Sequence, residues 1–318
     1  MKDKNTAFFI NGGAGRVICS IPAFEKYEEE NPHDDFVIIC EGGMEFFKGH
    51  KTLHKRCYDS NHKNLFEDKI KDRVCESPEP YRVWEYYNQL CNLSQAFDIA
   101  INKKGIRDLD RPFINLNSEE FYSGIDVVNE VKEKTKKDKI IVFQPFGRGM
   151  QDFHNASVDR SGRSLTINDT VEIIRKLQKD YGIVLMSEFK IEAEKNKLDP
   201  VAMPLNISLK HWAGIISEAD YFIGIDSVGQ HIAHALDKKT TALISATYPI
   251  NTSYPSNPKF NILDLGEGRR VYDPIRISYD EVSMLHNEKL MQLNSKVIDY
   301  IVNSIKSHIE NKTNKDKK

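Results

Sequence analysis

Two short polar turns hold the residue types best suited to chemistry. The first is Asp226-Ser-Val-Gly-Gln-His231. An apolar, β-rich run (221–225) precedes it, and Ile232, Ala235 and Leu236 follow at helical spacing, so the stretch reads strand, polar turn, helix. Asp226, Ser227 and Gly229 supply turn and N-cap chemistry. A turn of this kind aims unpaired backbone N–H groups and the positive end of a helix dipole at one point beyond the strand. That point suits a phosphate or diphosphate, and His231 could add a donor from the first turn. An ordinary βα turn, with Asp226 capping its own helix, has the same local pattern. A second turn near the other end of the chain, Asn11-Gly-Gly-Ala-Gly-Arg16, tips the balance towards a ligand.

The elements that must position these turns alternate along the chain. Strands are expected over 7–10 and 36–40, joined by a helix over 17–27 in which Pro22 marks a kink or a first turn. Residues 47–73 are polar and basic, residues 81–93 read as a helix carrying Trp84, Tyr86 and Tyr87, and 97–101 as a strand. Residues 130–139 are almost wholly polar and read as a solvated helix end leading into a linker. The alternation restarts with strand 140–143, turn 144–149, helix 166–181, strand 183–186 and helix 209–219. Strand 241–244, a proline-rich loop, a largely helical stretch over 282–309 and a frayed lysine-rich tail complete it. Strands alternating with helices mean parallel sheets covered on both faces, with ligands beyond the carboxyl ends of the strands. The fold class expected is α/β with two Rossmann-like domains, 1–138 and 139–318, facing each other across a cleft. The last helix is free to pack back on the first domain.

Length and composition set bounds. A chain of 318 residues suits two domains of roughly 130–180 residues. A net charge of −2 excludes a protein that is basic as a whole and leaves room for a local basic patch. No apolar run approaches the roughly 18–20 residues of a membrane span, and 7–10 is too short for a signal-peptide core. The five cysteines are scattered and form no CxxC pair, so neither a zinc site nor a disulfide framework is expected, and a reduced cytoplasm is the natural compartment.

Asp226-Ser-Val-Gly-Gln-His231, with Ile232-Ala233 after it, resembles the DSGxxH-[LI]-A element of the heptosyltransferase-like family of GT-B glycosyltransferases. Residues 11–23 resemble that family's N-terminal glycine loop and helix, 141–147 the strand and turn opening its nucleotide domain, and Ser187-Glu188 its Gly-x-Glu strand end. The resemblance implies a GT-B glycosyltransferase using a nucleotide-sugar donor, UDP being the commonest nucleotide, with no metal and no separate cofactor. It implies that Gly13, Gly15, Asp226, Ser227, Gly229 and His231 hold the diphosphate and nearby sugar hydroxyls. Glu188 would take ribose hydroxyls, Gln144 and Arg148 would flank the phosphates, and Arg160 and Arg163 are further charges for neutralising them. One departure matters. The family places its catalytic Asp directly after the last glycine, where this chain has Arg16. Arginine stays protonated and cannot act as a base, although it can stabilise a departing nucleoside diphosphate. Glu41, at the end of the second strand, is the candidate base, with Glu45 behind it.

The acceptor is expected on the N-terminal half. Residues 47–73 hold eight basic against four acidic side chains, among them Lys48, Lys51, Lys55 and Arg56, which suits a polyanion. DNA bearing hydroxylated or hydroxymethylated cytosine ranks first, by likeness to enzymes of large tailed phages. Such an enzyme would act in the host cytoplasm and either reach a major-groove hydroxyl or flip the base. Lipopolysaccharide core or another surface glycan is the alternative, and a non-catalytic sugar-nucleotide binder a third. An NAD enzyme is disfavoured, since Gly13 and Gly15 are followed by Cys19 instead of a third glycine. Oligomeric state, donor sugar and stereochemical course stay open.

Overall fold

The computed structural model describes residues 5–147, 149–153, 156–159, 161–192, 198, 200–271, 287 and 289–310. Two parallel sheets organise it. The smaller holds β1 (Thr6–Ile10), β2 (Phe36–Cys40), β3 (Cys57–Asp59) and β4 (Val74–Glu76) in the order β3-β2-β1-β4. The larger holds β5 (Ile140–Gln144), β8 (Gly182–Leu185), β9 (Val201–Ala202), β10 (Tyr221–Ile225), β11 (Thr240–Ile244) and β12 (Phe260–Asp264), in the order β12-β11-β10-β5-β8-β9. A small antiparallel hairpin, β6 (Met150–Phe153) with β7 (Ala156–Asp159), stands apart. This is the GT-B architecture of two Rossmann-like units expected from the alternation.

Helix α1 (Ala14–Glu30) links β1 to β2 and buries Val17, Ile18, Ile21 and Phe24. Phe8, Phe24, Tyr27 and Phe36 interlock beneath it in edge-to-face contacts. The expected strand at 97–101 is instead part of helix α3 (Leu93–Asn102). Phe97, Ile99 and Ile101 are β-formers, but Asn92 and Gln95 form a capping box at its start, and Leu93, Ala96, Phe97 and Ile101 share one buried face. Buried Asp98 is held by Arg107, whose Nε donates to it at 2.6 Å. The expected helix over 81–93 is broken into a 3-10 turn (Pro80–Arg82) and one short helical turn, α2 (Trp84–Tyr87).

Residues 130–135 are the helix end expected within 130–139. They close α4 (Ser118–Thr135), which lies on the larger sheet against α6 (Leu209–Glu218), with Gly124 and Gly214 facing each other. A β-carbon on Gly124 would sit 2.3 Å from the Gly214 carbonyl oxygen, so the two backbones approach closely because neither has a side chain. The chain therefore changes sheets ahead of α4, in the irregular segment 103–117. The helices α5 (Ile167–Leu177), α7 (Val228–Ala235), α8 (Pro249–Thr252) and α9 (Ser295–Glu310) complete the larger unit. Helix α9 packs on α5 and β12, with Ile298, Ile301 and Ile305 inward; its described packing is on the larger sheet, not back on the smaller one.

Candidate functional site

The two polar turns meet. Helix α1 starts at Gly13 and α7 at Ser227, and neither cap residue bonds its own helix through a side chain. A β-carbon on Gly15 would lie 3.1 Å from Cδ2 of His231 and 3.8 Å from Cα of Val228. The first turns of both helices therefore touch, and two helix dipoles present their positive ends side by side. Only a glycine at position 15 allows this approach without pushing His231 aside. In the larger sheet, β5 leads on to β8 on one side while β10 lies on the other. The turns after β5 and β10 thus flank the strand-order reversal, where open α/β sheets bind ligands.

Several residues expected to touch the donor help to build this meeting point. Gln144 Oε1 accepts the Gly229 N–H at 3.0 Å, and its amide nitrogen donates to the Ser227 hydroxyl at 3.3 Å. His231, expected to offer a donor to phosphate, is 5% exposed. Its Nδ1 is 2.8 Å from the Tyr254 hydroxyl and 3.4 Å from Cys19 Sγ. Burial drives its pKa down to about 4, so the imidazole is neutral at pH 7. The same burial pushes the Cys19 thiol up to about 12. Through Nδ1, His231 therefore joins α7 to α1. Asp226 is buried too: Oδ2 accepts the Thr247 hydroxyl at 2.8 Å, and Gln230 Nε2 donates to Oδ1 at 3.4 Å.

Arg163 is the charge brought to the end of β10. Its Nη1 donates to the Asp226 carbonyl at 3.4 Å and lies 3.9 Å from Oδ2, with the guanidinium partly exposed. Asp159 shapes the loop that presents it, accepting the backbone N–H groups of Ser161 at 2.8 Å and Ser164 at 2.9 Å, and both hydroxyls. Burial pushes the Asp159 carboxyl up, but those hydrogen bonds outweigh it and hold it below the ordinary carboxylate value. Glu188 is exposed past the end of β8, beside Phe189, which stacks on Phe146 with ring centroids 4.9 Å apart. That aromatic pair was missed in the sequence; its signal was an aromatic just past the ends of two neighbouring strands. Arg148 and Arg160 lie outside the described residues.

On the other side of the meeting point, Glu41 accepts the Gly12 N–H and so braces the glycine turn from β2. Arg16 is turned inward, 13% exposed, with its guanidinium 5.1 Å from the Tyr81 ring centroid and 5.5 Å from that of Phe97. Glu45 follows in a 3-10 turn, Met44–Phe47.

The basic stretch does not stay at one edge of the sheet. Because β2 and β3 are parallel, the chain from 41 to 56 must run from the carboxyl edge of the sheet back to its amino edge. Lys48, Lys51 and Lys55 are exposed along that descent. Arg56, an expected acceptor contact, ends it: Nε donates to Glu28 at 3.0 Å, Nη1 to the Phe36 carbonyl at 3.2 Å, and the guanidinium covers the Phe36 ring. Glu28 lies thirteen residues along α1 from Gly15, about 20 Å at 1.5 Å per residue, so Arg56 is remote from the turns. Tyr86 is buried and Trp84 exposed, so these aromatics form no common stacking face. Among the described residues no group of His, Cys, Asp and Glu could hold a metal ion, and no helix is long and apolar enough to cross a membrane.

The fold is the one that GT-B glycosyltransferases have. Residues 171–271 match the family model of glycosyltransferase family 9 (heptosyltransferase), the family the sequence resembles. No curated protein matches the chain. Among solved structures, a glycosyl transferase of family 9 from Veillonella parvula aligns with a TM-score of 0.62 at 12% identity, covering 96% of this chain and 97% of that one. The E. coli ADP-heptose lps heptosyltransferase II aligns at 0.54 and 13% identity, covering 90% and 98%. The E. coli heptosyltransferase WaaC with ADP aligns at 0.56 and 11% identity, covering 96% and 99%.

Proposed function

We propose that the chain transfers a sugar from a nucleoside-diphosphate sugar to a hydroxyl of an anionic surface glycan. The observation that carries this is the contact of Gly15 with Val228 and His231, which sets two helix N-termini side by side with Arg163 at the end of β10. Paired N-termini plus a guanidinium favour a diphosphate, both bound and as a leaving group. Val228, Ser227 and Arg163 would face the diphosphate, and Glu188 with the Phe146–Phe189 pair would flank the nucleoside. ADP-heptose is the first donor to try, because similar structures carry ADP; UDP-sugars come next.

For the acceptor we place the glycan ahead of DNA. Arg56 and Arg73 are tied into internal ion pairs with Glu28 and Asp35, which leaves separated lysines in place of a continuous basic stripe. Nucleic-acid binding needs several phosphates neutralised at once. The deciding experiment is transfer of labelled sugar to truncated lipopolysaccharide and, in parallel, to a hydroxymethylcytosine duplex. Label on the glycan supports the reading, and label on the duplex alone reverses the acceptor. The absence of both transfer and slow donor hydrolysis, across ADP- and UDP-sugars, removes it.

A further inference from the structure

Glu79 stands where the strand order of the smaller sheet reverses. From β1 the chain passes through α1 to β2 and β3 on one side, while β4 returns on the other. Ligands settle beyond the carboxyl ends of strands at such a reversal. Glu79 lies three residues past β4, and Arg16 lies in the first turn of the helix that follows β1, so the pair flanks the reversal from both sides. Nη1 of Arg16 donates to Glu79 Oε1 at 3.4 Å, and the same oxygen accepts the Tyr81 N–H at 3.3 Å. Oε2 has no partner among the described residues, and the side chain is 27% exposed. The guanidinium is fixed between Tyr81 and Phe97, and its Nε is buried without a partner. Glu41, by contrast, sits on the β2 side with one carboxylate oxygen committed to Gly12.

Beyond Glu79, the chain runs along the contact between the two halves. Asn251 of α8 donates to the carbonyls of Tyr86 at 2.8 Å and Cys91 at 3.0 Å. The carboxylate is thus held at both ends of its segment, by β4 and by the larger unit, at the rim of the meeting point.

We propose that Glu79 is the general base of the transfer and that Arg16 is the residue that positions it, a role that rests on the glycosyl-transfer reading above. The acceptor O–H gives its proton to Glu79 Oε2 as its oxygen forms a bond to the anomeric carbon. The bond from that carbon to the diphosphate oxygen breaks, and its electron pair leaves with the nucleoside diphosphate. Glu79 then returns the proton to solvent. Arg16 cannot take the proton itself, but it fixes a carboxylate beside the glycine turn, where geometry must bring a base to within about 3 Å of the hydroxyl.

The test compares wild type, Glu79→Gln and Glu79→Ala in hydrolysis of ADP-heptose and UDP-glucose and in transfer to truncated lipopolysaccharide, with ADP affinity from calorimetry. Glu79→Gln is expected to lower kcat by about 100-fold or more, as loss of a general base does, with donor KM and ADP affinity unchanged. Formate or azide, serving as a replacement base, is expected to restore part of the rate of Glu79→Ala. Undiminished kcat in Glu79→Gln, or a loss in Glu79→Ala that neither anion relieves, overturns the assignment. A wild type that binds no ADP and processes neither donor removes the reading beneath it instead.

Discussion

The side-chain oxygen of Gln144, the last residue of β5, accepts the backbone N–H of Gly229 in the first turn of α7 at 3.0 Å. One hydrogen bond from strand to helix thus fixes the height at which the α7 N-terminus meets α1. Replacing Gln144 by Leu leaves that buried N–H unpaired, a cost of about 1–3 kcal/mol. Urea unfolding should show a lower midpoint with an unchanged slope. Gly229→Ala should do similar harm, since its β-carbon would fall 2.3 Å from the same Gln144 oxygen and 2.5 Å from the Phe222 ring.

Acid should loosen the contact between the halves. His231 has its pKa lowered to about 4 and His234 to about 3, in both cases chiefly by burial. An unfolded histidine titrates near 6.5, so between there and pH 4 the unfolded chain binds the extra protons. Stability is complete above the unfolded value and falls as pH drops through that window, by up to about 1.4 kcal/mol per pH unit for each histidine. Thermal midpoints measured from pH 7 to pH 4.5 should decline, and His231→Gln should flatten the slope. A midpoint that holds steady down to pH 4.5 would exclude this coupling.

Asn251 links the two units through the carbonyls of Tyr86 and Cys91. Asn251→Ala removes both donors from buried acceptors and should cost about 1–3 kcal/mol. Hydrogen exchange should rise first around residues 86–91 and 249–254, with the β1 and β10 strands still protected. Uniform acceleration across the chain would mean that the halves do not open separately.

Arg163 and Arg56 should separate cleanly. Arg163→Ala removes the guanidinium beside the α7 N-terminus and should weaken ADP binding about tenfold, roughly 1.4 kcal/mol. Arg56→Ala removes an ion pair to Glu28 and the cover over Phe36, about 20 Å away along α1, so it should lower stability and leave ADP affinity alone. Equal loss of affinity in both would refute the proposed position of the phosphate site.

The strand–turn–helix over residues 221–236 and the glycine turn after β1 were legible in the sequence because each is a local event. Short apolar runs, glycine turns and helical spacing are set by neighbours a few residues apart. Phe97 to Ile101 misled for the same reason: its β-formers are local, whereas its helical cap at Asn92 and the partner Arg107 of Asp98 sit outside the run. What no local pattern holds is which groups remain available once the chain is packed. His231 and Gln144 look like ligands in the sequence, yet burial and the meeting of α7 with α1 commit Nδ1 of one and the amide of the other to neighbouring groups. Arg16 looks like a lost base until the return of β4 sets Glu79 beside it, 63 residues on. The sequence by itself determined the two turns and the strands and helices that flank them. Only the tertiary structure decided which side chains those turns leave free, because burial and long-range hydrogen bonds commit a polar group only after distant strands are side by side.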